Sequence, residues 1–125
     1  MKIYLAAAYE RRIEMRRYAA ALRLLGHEIT SNWIDSTCED ETTLSGDELC
    51  SLALQDLQEL SDSELIVNFT GYGGRGGRHA EFGLAVARSI KAIVVGAREH
   101  IFHYLPFVGR CDDFLDLLLH LGRAA

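Results

Sequence analysis

Residues 65–88 read LIVNF-TGYGGRGG-RHAEFGLAVAR, and this run decides the fold. Its first five residues are apolar except Asn68, the pattern of a strand covered on both faces. A glycine-rich stretch follows, and glycine admits the positive φ that tight loops need. A helix-like segment, 78–88, comes next. Strand, glycine loop and helix in that order form part of an α/β sheet, and open sheets of this kind bind ligands at the carboxyl ends of their strands. Glu81 is thereby placed at the mouth of the sheet. On a first helical turn it would lie near backbone N–H donors that favour its ionised form. An ionised, positioned carboxylate is a candidate nucleophile.

Working outward, the alternation recurs. Residues 2–7 (KIYLAA) are a short apolar run with β-favouring side chains, a first strand. Residues 10–25 carry Ile13, Tyr18, Ala21, Leu22 and Leu25 at helical spacing between arginines, and Gly26 closes the helix. Residues 28–33 (EITSNW) predict a second strand, more polar and so at an edge. Residues 35–46 are acidic, rich in Ser and Thr and aperiodic, a loop long enough to suggest function or mobility. Residues 47–60 are helical, with Asp56 on a face shared with Leu49, Leu52, Ala53, Leu57 and Leu60. Residues 91–95 predict a buried strand, 100–105 a short helix, 107–108 a minimal fifth strand and 111–121 a last amphipathic helix. Strands alternating with helices predict a parallel sheet with helices on both faces. At this length the chain forms one domain, residues 1–125.

Bulk properties narrow the function. Thirteen basic against eighteen acidic residues leave a net charge of −5, which argues against a nucleic-acid polymer as partner. Apart from Lys2 and Lys91 the basic residues are all arginine, whose planar fork suits carboxylate or phosphate. Cys38, Cys50 and Cys111 are scattered without a CxxC pair, which predicts free thiols in a reducing, cytoplasmic compartment. The chain opens directly on a strand pattern, so no signal peptide is expected. No apolar run reaches the roughly 20 residues of a membrane helix, so no membrane partner is expected.

Several groups compete for the site. Residues 71–76 match G-x-G-x-x-G by letter. The match follows the third strand rather than the first, and no Lys-Ser/Thr completes a P-loop, so a mobile loop closing over a small ligand is the better reading. Asp56 is a carboxylate on an otherwise apolar helix face, where Asp is uncommon without a partner. With Glu81 it makes a pair that can divide the roles of nucleophile and proton donor. Tyr4 and Tyr9 bracket the end of the first strand, and either phenol is placed to hydrogen-bond the nucleophile. Arg11 and Arg12 open the first helix and offer an anion site. His100 and His103 lack the Cys or acidic partners of a metal set, so no metal is expected.

Together these residues resemble the nucleoside 2-deoxyribosyltransferase superfamily, which includes the deoxyribosyltransferases and related nucleotide N-glycosidases. The resemblance rests on the first strand and its small-residue turn from Tyr4 to Arg12, and on Gln55-Asp56-Leu57 in the second helix. It rests equally on the strand from Leu65 to Phe69 and the glycine loop leading to Glu81-Phe82-Gly83. It implies a flavodoxin-like three-layer sandwich with five parallel strands in the order 2-1-3-4-5. It also implies Glu81 as nucleophile, Asp56 as acid/base or sugar-orienting carboxylate, and Tyr4, or else Tyr9, as hydrogen-bond partner of the nucleophile. Ala7, Tyr9, Arg11, Arg12, Gly76, Gly77, Arg78 and His79 are then expected to contact substrate. The implied partners are a nucleoside or nucleotide, a free nucleobase and further copies of the chain; no cofactor is implied. Arg75, Arg78 and His79 are not general features of the family and are suited either to reading a base or to binding a 5′-phosphate.

Overall fold

The computed structural model describes residues 1–71 and 73–124. Its elements are β1 (Lys2–Ala6), α1 (Arg12–Leu24), β2 (Glu28–Ile29), α2 (Gly46–Ser61), β3 (Leu65–Phe69), α3 (Gly77–Ala87), β4 (Lys91–Val95), β5 (Val108–Cys111) and α4 (Phe114–Leu121). The strands form one sheet in the order β2-β1-β3-β4-β5, and every pairing is parallel. This is the flavodoxin-like order. Its topological switch point lies between β1 and β3, where successive connections leave in opposite directions and open a crevice.

Side chains alternate across the strands and so build two cores. Ile3, Leu5, Leu65, Val67 and Ile93 face Met15, Ala19 and Leu22 of α1 and Leu117 of α4. Tyr4, Ala6, Ile66, Ala92 and Val94 face Phe82 and Ala85 of α3 and Leu60 of α2. Each fully buried large side chain is worth roughly 1.5–3 kcal/mol relative to exposure. Tyr4 thus enters the α3 side of the sheet as a core residue with a polar tip.

Three elements differ from the sequence reading. The second strand ends at Ile29, and Asn32–Asp35 form a 3-10 turn. Side chains take over the ladder there: Ser31 Oγ accepts the Leu5 N–H at 3.0 Å and the Trp33 indole donates to the Leu5 carbonyl at 2.7 Å. These bonds satisfy an edge of β1 while the chain turns away to wall the crevice. The apolar face expected of α2 is only partly covered: Leu60 is its buried residue and Leu52 is half-buried, whereas Leu49, Ala53 and Leu57 are exposed. The last helix begins at Phe114 rather than at Cys111, because residues 108–111 extend β5 and Asp113 caps the helix through the Asp116 N–H at 2.8 Å. The third cysteine therefore lies in a strand, and all three are free thiols.

Candidate active site

The crevice holds a cavity of about 300 Å³, at the lower end for a small-ligand pocket. Three segments wall it: residues 7–10 after β1, the acidic loop at 39–41, and the glycine stretch at 73–77 before α3. Gly74 has φ +78°, and a Cβ there would come within 3.2 Å of the Ala8 methyl, so glycine lets the two walls meet. Gly76 precedes α3 at φ +91°, the left-handed conformation that starts the helix where it does.

The helices aim both carboxylates inward. α2 runs back along the sheet, so its N-terminal half lies toward the carboxyl ends of the strands. Asp56 stands one turn before Leu60 on the same face, and the buried Leu60 fixes that face toward α3. Glu81 lies beside the buried Phe82, one turn into α3. The Tyr4 hydroxyl donates to Glu81 Oε2, and Glu81 and Asp56 both line the cavity.

Burial sets the charges. The Glu81 carboxyl is pushed up to about 7 by burial and, further, by the nearby Asp56 charge, against the lowering effect of the Tyr4 hydrogen bond. The expectation that helix-start donors would keep Glu81 readily ionised is therefore corrected: it lies past the first turn, and desolvation wins. Asp56 is also pushed up to about 7, by burial first and then by the Glu59 and Glu41 charges. The Tyr4 phenol is driven upward by burial and by the Glu81 and Asp56 charges, which keeps it a proton donor. Both folded carboxyl values lie above the unfolded ones, so their stabilising contribution is present at low pH and lost as pH rises through about 7. The ionised site costs stability because both charges are held away from water.

Among the other expected contact residues, Ala7, Tyr9, Gly76, Gly77 and Arg78 line the cavity. Tyr9 does not reach Glu81; its hydroxyl meets the Cys38 carbonyl at 2.6 Å and Ser36 Oγ at 2.7 Å, anchoring the acidic loop. The Arg11 guanidinium is held by Glu14 and by the Thr70 carbonyl, and that of Arg12 stacks 4.6 Å from the Tyr9 ring centroid. Neither lines the cavity. Arg78 is buried and ion-paired with Glu99. His79 turns to the other side of α3, beside His100 and Phe82. Sequence reasoning missed Trp33, Glu10 and the run Glu39-Asp40-Glu41 as cavity walls. The acidic run was visible only as an unusually long polar loop. Among the described residues no group of His, Cys, Asp and Glu is placed to hold a metal ion.

The Tyr4 hydrogen bond carries a prediction. Tyr4→Phe removes the interaction that lowers Glu81, so Glu81 ionises at higher pH. Hydrogen bonds to charged groups are worth roughly 1.5–3 kcal/mol, which corresponds to a shift of about one to two pH units. The Glu81 carboxyl of Tyr4→Phe, followed by NMR titration, should ionise at a pH higher by that amount. An unmoved titration would leave Tyr4 as packing alone.

No family model matches the chain, and no curated protein matches it by sequence. Solved structures do match in fold. A CMP N-glycosidase, BcmB, of Clostridium botulinum aligns over 97% of this chain and 98% of its own at TM-score 0.62 and 22% identity. A 2-deoxyribosyltransferase from Bacillus psychrosaccharolyticus aligns over 94% and 90% at TM-score 0.71 and 18% identity. A conserved protein from Enterococcus faecalis V583 aligns over 95% of each chain at TM-score 0.64 and 17% identity. The chain therefore shares the fold of a deoxyribosyltransferase and of a nucleotide N-glycosidase over nearly its whole length.

Proposed function

We propose that this protein is an enzyme of the nucleoside 2-deoxyribosyltransferase superfamily that cleaves the N-glycosidic bond of deoxyribonucleosides. The observation that carries this reading is the convergence of Glu81, fixed by Tyr4, with Asp56 in one cleft at the switch point. An ionised Glu81 oxygen attacks the anomeric carbon. The carbon–nitrogen bond breaks, and its electron pair leaves with the base, which takes the proton of the Asp56 carboxyl. In the second half, the nitrogen of another base, or water, attacks the same carbon, returns its proton to Asp56 and frees Glu81. Two carboxylates used this way retain configuration, as in retaining glycoside hydrolysis. The partners are a nucleoside and a free nucleobase. Exposed Leu49, Leu54 and Leu57 of α2 support assembly as a dimer or larger.

Cleft charge favours the plain nucleoside over the 5′-monophosphate. Six carboxylates line the cavity: Glu10, Glu39, Asp40, Glu41, Asp56 and Glu81. Two arginines oppose them, and Arg78 is already engaged by Glu99. Arg75 lies near Asp40, whose carboxyl is held below its usual range by Thr42 first and by Arg75 in part. A phosphate dianion entering this field is repelled. The test incubates the protein with nucleosides and their 5′-monophosphates, with and without an acceptor base, and follows base release. The expected result is kcat/KM at least about tenfold higher for the nucleoside, unchanged by Arg75→Ala. A clear preference for the monophosphate, with KM rising sharply in Arg75→Ala, would establish the nucleotide N-glycosidase reading instead.

A further inference from the structure

The segment after β4 approaches the end of β3 unusually closely. Gly96 has φ +108°, and a Cβ there would fall 2.6 Å from Thr70 Oγ1. That hydroxyl donates to the Ala97 carbonyl at 2.7 Å, and the Thr70 N–H donates to the Val95 carbonyl at 3.0 Å. The close approach delivers Glu99 to the glycine-rich stretch. There one carboxylate meets both ends of that stretch. Its Oε2 accepts the Gly71 N–H at 3.4 Å, at the exit from β3. Both of its oxygens also meet the Arg78 guanidinium on the first turn of α3, with Nη2 to Oε2 at 2.9 Å. Arg78 precedes Glu81 by three residues, so the two stand on neighbouring positions of one helical surface. Glu99 is itself braced: its N–H donates to His103 Nδ1 at 3.0 Å, and the fully buried His103 ring packs edge-on against Phe82 at 4.8 Å.

We propose that Glu99 is a positioning residue for Glu81, one carboxylate that clasps both ends of the glycine-rich stretch and so fixes the start of the helix that carries the nucleophile. The physical need is clear. Glycine-rich backbone has the most conformational freedom to lose on ordering. In-line attack tolerates little displacement, and an error of about 1 Å at a reacting group costs on the order of a hundredfold. Charge-assisted, two-point bonding by a guanidinium gives a defined geometry that a single bond would not. Glu99 does not line the cavity, so it acts through Arg78 and Gly71 rather than on substrate.

The inference rests on the glycosidic reading for its kinetics but not for its structural test. Glu99→Gln and Glu99→Ala are compared with wild type by amide hydrogen exchange and by steady-state base release. The clasp predicts faster exchange at residues 73–80 in both variants, with the protected strands β1, β3 and β4 unchanged. It predicts kcat lower by roughly ten- to a hundredfold with KM altered much less, and Glu99→Gln milder than Glu99→Ala. If exchange accelerates throughout the molecule, the pair is a general stabiliser and the inference fails. If exchange at 73–80 is unchanged, or kcat holds while KM alone rises, it fails as well. Should wild type release no base from any nucleoside or nucleotide, the glycosidic reading falls, while the exchange comparison still decides the clasp.

Discussion

Glu81→Gln should abolish base release. The substitution keeps the shape and the Tyr4 contact but removes the negative charge that the proposed mechanism brings to the anomeric carbon. Losing a group that forms a covalent bond typically costs on the order of four or more decades in kcat. The fold should not suffer. Glu81 carries an ionisation cost, with its carboxyl pushed up to about 7 by burial. Glutamine has no charge to desolvate, so Tm at pH 8 should equal or exceed that of wild type. Thermal unfolding and base release measured on the same preparation separate the two effects. A folded variant with wild-type turnover would remove Glu81 from the chemistry.

Asp56→Asn comes next in size. General acid/base assistance is worth on the order of a hundred- to ten-thousandfold, and asparagine neither gives nor takes a proton here. The pH profile is the more telling readout. The proposed mechanism needs Glu81 ionised and Asp56 protonated, and each carboxyl is pushed up to about 7, chiefly by burial. Wild type should therefore give a bell centred near neutrality. Asp56→Asn should lose the alkaline limb and keep an acidic one. The acidic limb should also move down, because the Asp56 charge is one of the causes that raise Glu81. A variant that unfolds while activity per folded molecule is unchanged would make Asp56 structural.

The sheet was legible because its central strands are nearly pure apolar runs, and because the glycine stretch after Phe69 lies between such a run and a helix-like segment. The second strand was legible only in part. EITSNW has β-favouring residues, but Ser31 and Trp33 spend their polar atoms on the β1 backbone, and a side chain that replaces a ladder bond leaves no periodic trace. Asp56 stood out among leucines, yet Leu49 and Leu57 are exposed; Leu60, one turn on, is what orients it. Tyr4 and Tyr9 were indistinguishable by spacing. Strand alternation separates them, since Tyr4 points to α3 whereas Tyr9 sits in a 3-10 turn and holds the acidic loop. The raised Glu81 and the reach of Glu99 across 21 residues to Arg78 depend on burial and on tertiary contact, which no local pattern encodes.

The central claim is a sugar bonded to Glu81 during turnover. Its most direct test quenches the enzyme in acid during steady-state cleavage of a deoxyribonucleoside without acceptor, digests it, and maps the modified peptide by mass spectrometry. The account predicts a deoxyribosyl adduct on the peptide spanning Arg78 to Arg88, localised to Glu81 and absent from Glu81→Gln. An adduct on Asp56, or rapid base release with no modified peptide at any quench time, would contradict it.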